Sequence, residues 1–295
     1  MKRKILIAVL VGLCVFSASG QKRKSQPAPF NRSNDKNNAF LHKQWWIGLK
    51  GGVNLSNPLV ENSFAVITPT NYDGTLIGKE YETFAPLGGQ VALECAFYFR
   101  GFSISVQPGY HQMGVIYGNR FNWRDPEQSS MQVDLSFKHS HRMEHLSVPV
   151  VLKYEFPLNR FSPYVQAGAY LNTLLNATKE VTQSGIDESA GGPNHFESEP
   201  ISVGATDLFA RHHYGIVGGA GVYFTPGNVR LNLDIQYRWA LTLLNSPSNR
   251  YDNDRLVGVG DAMDDLTLNN LVISAGVMFP LRFLSNGFKS TVNTK

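Results

Sequence analysis

The sequence predicts an all-β fold, an eight-stranded antiparallel up-and-down transmembrane β-barrel, and three observations carry that prediction. Eight segments alternate apolar and polar residues with a period of two, which marks strands with two chemically different faces. The joins between them alternate between tight and long. No charged residue interrupts the central band of any of the eight apolar faces. The clearest segment is VRLNLDIQYRW at 229–239, where Val229, Leu231, Leu233, Ile235, Tyr237 and Trp239 oppose Arg230, Asn232, Asp234, Gln236 and Arg238.

In chain order, the first segment, about 45–55, sets Trp45, Ile47, Leu49 and Val53 against Lys50 and Asn54. The second, about 87–99, sets Val91, Leu93, Cys95, Phe97 and Phe99 against Gln90, Glu94 and Tyr98. The third, about 102–116, opposes Phe102, Ile104 and Val106 to Ser103, Ser105 and Gln107. The fourth ends in LSVPVVLKYEF, with Leu146, Val148, Val150, Leu152, Tyr154 and Phe156 against Ser147, Lys153 and Glu155. The fifth, about 163–175, sets Val165, Ala167, Ala169 and Leu171 against Tyr164, Gln166, Tyr170 and Asn172. The sixth, about 208–224, alternates Tyr214, Ile216, Ala220, Val222 and Phe224 with glycines and Tyr223. The seventh is the 229–239 stretch carried on to Leu244, and the eighth, about 269–283, sets Leu271, Ile273, Ala275, Val277 and Phe279 against Asn270, Ser274 and Gly276.

The tight joins are Arg100-Gly101, 157–162 and 225–228; the long ones are roughly 57–85, 117–130, 176–206 and 245–267. Short periplasmic turns and long external loops are the outer-membrane arrangement. A soluble lipocalin-like barrel is also up-and-down with eight strands and is the rival. Against it stand the charge-free apolar faces and a ring of aromatics, Trp45, Phe99, Phe102, Phe156, Phe161, Phe224 and Phe279, beside the tight turns, as at a membrane interface. An arginine or lysine facing lipid at mid-bilayer costs ~2–4 kcal/mol, which accounts for the segregation. The polar faces, with Lys50, Glu94, Lys153, Glu155, Arg230, Asp234 and Arg238, therefore point inward as an interior polar network. Lys50 with Glu94, and Arg230 and Arg238 with Asp234, are the expected pairs. The network reads as a stabilising plug, because eight strands leave little lumen; a narrow ion path is the alternative.

Two features bear on the fourth strand. Between Met131 and Ser147, Val133, Leu135 and Phe137 share the interior face, while Lys138, Arg142 and Glu144 point outward. One continuous strand explains this if its first half stands in water above the membrane and its last ~11 residues cross. A bulge at about 138–145 that resets parity is the other explanation. Pro108 and Pro149 each remove a ladder donor, so bulges are expected there as well.

Residues 1–20 read as a secretory signal: basic Lys2, Arg3 and Lys4, an apolar run Ile5 to Phe16, then small residues ahead of Gln21. Leu13 before Cys14 does not suit a lipoprotein signal. Residues 21–43 are polar and Pro/Asn-rich, a disordered periplasmic linker; 44–283 form the barrel and 284–295 a periplasmic tail. With Cys14 removed, Cys95 has no intrachain partner. From 44 onward 18 basic residues face 22 acidic ones, so the folded part offers no basic surface to nucleic acid.

The segments IGLKGGVNLS at 47–56, HLSVPVVLKYEF at 145–156, SPYVQAGAY at 162–170, YGIVGGAGVYF at 214–224 and LVISAGVMFPLRF at 271–283 resemble the PorT-like family of outer-membrane β-barrels, found in the phylum with type IX secretion. These are fold motifs without a shared active site. The resemblance implies a small outer-membrane barrel and brings accessory roles in type IX secretion into view.

The remaining chemistry-bearing patterns have bland readings. His139, His141 and His145, with His111 on the neighbouring strand, share a face from which imidazoles reach Zn²⁺ in other proteins, and they equally suit a wet upper interior. His145 and Ser147 form an H-x-S pair of the acyl-transfer type, without an acidic orienting residue. Asp252, Asp254, Asp261, Asp264 and Asp265 lack the spacing of a calcium loop and read as a solvated acidic loop. Gly218, Gly219 and Gly221 make room for tyrosines rather than for a nucleotide. No catalytic residue, metal or cofactor is assigned. The expected role is non-enzymatic: a monomeric barrel in contact with outer-membrane lipid and lipopolysaccharide, serving an envelope or secretion assembly through its loops or tails. A small channel is the alternative, and a lipid-modifying enzyme comes third.

Overall fold

The computed structural model describes residues 43–66, 78–128, 131–156, 161–188, 194–226, 229–251 and 261–281. The expected signal segment, the linker up to 42 and the tail lie outside the described residues, as do Asp252 and Asp254. The strands are β1 (Lys43–Asn62), β2 (Glu80–Tyr81), β3 (Leu87–Phe99), β4 (Phe102–Val106), β5 (Gly109–Arg124), β6 (Gln132–Glu155), β7 (Phe161–Asp187), β8 (Asn194–Glu197), β9 (Ile201–Gly204), β10 (His212–Phe224), β11 (Arg230–Ala240) and β12 (Asp265–Pro280). Two 3₁₀ turns, Thr206–Leu208 and Pro247–Asn249, interrupt the joins.

Pairing is antiparallel throughout. β1 lies between β3 and β12; β3 pairs β4 and the start of β5, and both pair β6. From β6 the ladder continues through β7, β10 and β11 to β12. The expected count of eight strands thus becomes twelve among the described residues. The third expected strand is split at Gln107-Pro108, and β2, β8 and β9 arise inside long joins, where they add to the far ends of β5 and β7.

The split does not change register. Cys95 pairs Val106 and Ala92 pairs Gly109, so Pro108 sits opposite Leu93 without a slip. The Leu93 amide donates to the Pro108 carbonyl and the Gln107 amide donates to the Pro149 carbonyl, each at 2.9 Å. Each proline withholds only the reciprocal bond, so the bulges expected at Pro108 and Pro149 are not formed.

In β6 every odd residue from Phe137 to Glu155 is buried, and the even ones are exposed or half-buried. Parity is therefore not reset. The irregularity falls in the partner strand: Glu144 faces Asn176 and His145 faces Leu174, which leaves Leu175 unopposed and exposed as a one-residue bulge in β7. The hairpin at Arg100 and Gly101 has φ of 48° and 91°, the two positive values that a two-residue turn matched to strand twist requires.

Leu49, Leu93, Ile104, Leu152, Val165 and Leu233 are each at least half exposed on the outer side of the sheet. A water-soluble protein rarely shows so extensive an apolar face. The aromatics beside the tight turns pack along the same side, Phe161 stacked on Phe224 at 4.9 Å, and Trp45 tilted against Phe97 at 4.9 Å and Phe102 against Tyr154 at 4.8 Å. A soluble barrel would place its apolar residues on the buried side. Here that side carries the charges.

Candidate functional site

The buried side is organised in layers, beginning near the tight turns. There Arg230 donates to Glu155 at 3.1 Å, and its guanidinium lies over the rings of Trp46, Tyr98 and Tyr223. Arginine suits this place because a flat, weakly hydrated cation keeps an ion pair and aromatic faces at once.

The next layer is the densest in charge. Lys153 donates to Glu94 at 2.6 Å and to the Tyr223 hydroxyl at 3.0 Å. Lys50 donates to Asp234 at 3.2 Å and stands 3.8 Å from Glu94. Asp234 also accepts from Tyr164 at 3.2 Å and from Ser274 at 2.9 Å, and Glu94 from Ser105 at 2.8 Å. These eight side chains come from β1, β3, β4, β6, β7, β10, β11 and β12, so each of the eight expected staves sends one group to a single cluster. Glycine makes the layer possible. A Cβ on Gly221 would sit 2.5 Å from the Tyr164 ring, and one on Gly215 2.6 Å from the Tyr170 hydroxyl. Charges taken out of water persist only when they are paired and hydrogen-bonded. Asp234 accepts on both oxygens, whereas Glu94 gathers its hydrogen bonds on Oε1 and leaves Oε2 facing Lys50 at 3.8 Å.

All seven residues assigned from sequence to an interior network fall on this side. Six of them find an opposite charge, but not always the expected one. Asp234 takes Lys50 rather than an arginine, Arg230 takes Glu155, and Arg238 has no carboxylate partner.

Beyond Arg238 the buried side becomes apolar. Met113, Val115, Tyr117, Met143 and Leu174 from the strands pack with Leu208, Phe209, Leu244, Met263, Leu266 and Leu268, largely contributed by the joins that fold back over them. Ion pairs surround this cap: Lys179 with Asp261 at 2.8 Å, Lys79 with Asp264 at 2.6 Å, and Arg250 with Asp265. The Tyr81 hydroxyl adds a 2.7 Å bond to Asp264. Asp261, Asp264 and Asp265 are therefore buried and neutralised, which corrects the solvated acidic loop expected for them. Sequence reading missed Lys79, Lys179, Tyr117 and Arg250. For Tyr117 the signal was present, since the alternation of β5 continues into a stretch read as a loop. For Lys179 it was not, because the bulge at Leu175 reverses the parity of β7, with even residues buried before it and odd ones after.

The histidines share the buried side and spread along it. His139 meets Asn119 at 3.1 Å and stacks on Tyr117, His141 stacks on Tyr117 and meets Phe209 edge-on, and His145 packs edge-on against His213 at 4.8 Å. Among the described residues no three His, Cys, Asp or Glu side chains converge to hold a metal. His145 has no hydrogen-bond partner on either ring nitrogen, and Ser147 accepts from Arg238 at 3.3 Å. The H-x-S pair is thus not connected as a base and nucleophile.

Burial, followed by the charges of Lys179 and Lys79, holds His139 at about 3; burial, His139 and then the same lysines hold His141 at about 3. Asp261, 3.7 Å from His139, is itself occupied by Lys179 and does not reverse this. Both imidazoles are neutral at pH 7. Unfolded histidines take up protons near pH 6.5 that these refuse until about pH 3, so stability is expected to fall as pH drops through that window. Replacing both by asparagine should flatten this part of a melting-temperature profile against pH.

The sequence profile of the outer membrane protein beta-barrel domain family matches residues 21–245, and the chain belongs to that family. It is an outer-membrane β-barrel protein. Solved structures similar to it include Neisserial surface protein A, at 14% identity over 80% of this chain and 96% of that one, with a TM-score of 0.36. Ail of Yersinia pestis follows at 13% over 80% and 99%, TM-score 0.30. Outer membrane protein W of E. coli matches at 14% over 81% and 100%, TM-score 0.30. At such TM-scores these likenesses carry no functional argument. No curated protein matches the chain. The family is a general one, and its match carries no link to PorT or type IX secretion.

Proposed function

We propose that this member of the outer-membrane β-barrel family is a closed eight-stranded, non-enzymatic barrel whose lumen is sealed at rest and which serves an envelope assembly as a structural or binding component. Closure is supported by β12 pairing β1 from Trp46↔Pro280 to Asn62↔Asp265. The observation that carries the sealed-lumen reading is the ionic layer to which all eight staves contribute. With the lumen filled, what remains for recognition is the stand of β5, β6 and β7 beyond the apolar band, with β2, β8 and β9 attached. Rigid strands that present variable joins are a general basis for binding. Resemblance to the PorT-like family keeps type IX secretion among the assemblies to test. Extraction in mild detergent with a tag on the C-terminal tail, followed by mass spectrometry, should recover a reproducible set of envelope proteins. Recovery of the barrel alone counts against this role.

A small channel is the second reading, and a separate observation favours it. Gln90 Nε2, Gln166 Nε2 and both side-chain polar atoms of Asn232 are buried without a partner, as lumen groups are when water serves them. The family match also sits closer to this reading than to a secretion role, since it specifies a membrane barrel and no partner. Asp234→Ala separates the two. A sealing layer predicts a lower unfolding temperature in detergent, with Lys50 left short of its anion. An unchanged melt together with a new conductance in planar bilayers supports the pore.

A further inference from the structure

We propose that Arg238 and the groups around it form a binding site for one small monovalent inorganic anion, enclosed between the ionic layer and the apolar cap. The first observation is a mismatch of charge. Every other buried or nearly buried cation of the described residues faces a carboxylate within 4.0 Å: Lys50, Lys79, Lys153, Lys179, Arg230 and Arg250. Arg238 is 3% exposed and has none. Its donors reach only neutral acceptors, Gln236 at 3.2 Å, Ser147 at 3.3 Å and a ring nitrogen of His111 at 3.2 Å. The nearby Asp234 is committed to Lys50, Tyr164 and Ser274.

The second observation is a set of unused polar atoms beside it. Arg238 Nε has no acceptor. Nor does the hydroxyl of Tyr170, whose ring lies 5.7 Å from the guanidinium. His145, the cross-strand partner of His111, has both ring nitrogens unpartnered, and His213 against it has one. A buried cation without a counter-charge is costly, and buried donors without acceptors add to that cost. A single monovalent anion answers both, neutralising one guanidinium and accepting from the Nε–H, the phenol and an imidazole N–H. No acidic side chain among the contacts of Arg238 opposes it. The site does not depend on whether the lumen conducts.

The test is thermal unfolding of the full-length barrel in detergent at constant ionic strength, with sodium chloride exchanged for sodium gluconate. Saturating chloride is expected to raise the wild-type unfolding temperature by about 5 °C or more at a hundredfold excess over Kd. Arg238→Met should lose that response and, in gluconate, melt no lower than the wild type, because it removes an uncompensated charge. An equal chloride response in both proteins, or none in the wild type, overturns the proposal. Should Arg238→Met fail to fold, wild-type crystals grown in bromide decide the matter. An anomalous peak within hydrogen-bonding distance of the Arg238 guanidinium supports the site, and its absence there overturns it.

Discussion

Lys153→Met is expected to destabilise the detergent-solubilised protein by about 3–5 kcal/mol, the cost of breaking a buried ion pair from one side. Methionine keeps much of the stem and removes the ammonium, so packing changes little. Glu94 then keeps only the 2.8 Å bond from Ser105, a weak contact with Gln107 at 3.4 Å and the more distant Lys50, and Tyr223 loses its donor. Adding Glu94→Gln should recover a large part of the loss, because no carboxylate is then stranded. Apparent unfolding temperatures, or the fraction of the folded band in unheated gel samples, measure both. Additive losses in the double variant would show that the two side chains do not act as a pair.

Leu233→Arg is the second large effect. Leu233 is 52% exposed in the middle of the apolar side of β11, between Leu231 and Ile235. An arginine there must leave the hydrocarbon or thin the bilayer around it, at ~2–4 kcal/mol near the midplane. Glu180→Arg places the same side chain on the exposed side of β7, beyond the apolar band, and should change stability by no more than about 0.5 kcal/mol. Denaturant titration after folding into lipid vesicles compares the two. Equal effects would mean that depth along the strands does not govern the cost, and the membrane-facing assignment of Leu233 would fail.

These expectations rest on what the alternation made legible. A period of two decides which side each residue takes, and it placed Lys50, Glu94, Lys153, Glu155, Asp234 and Arg238 on the buried side. It does not decide who meets whom. Cross-sheet partners depend on stagger between strands far apart in sequence, which is why Asp234 was matched to arginines when Lys50 reaches it. The joins were less legible still. Asp261 and Asp264 sit among polar residues with no period, and the lysines that neutralise them stand 82 and 185 positions away. Composition could not reveal that these joins fold inward over Met143 and Leu268. Pro108 and Pro149 misled in the opposite direction, because a proline pair that keeps one of its two bonds leaves no trace in the register.

On the closed barrel proposed above, the ladder that joins β12 to β1 has a consequence for biogenesis. Until that last seam forms, two long strands present bare amide and carbonyl rows, and Asp234 and Ser274 cannot yet stand opposite Lys50 and Glu94. The polar knot at the centre therefore assembles only upon completion. A half-made sheet would gain little from it, and such a barrel is expected to commit to its shape in one late, cooperative event.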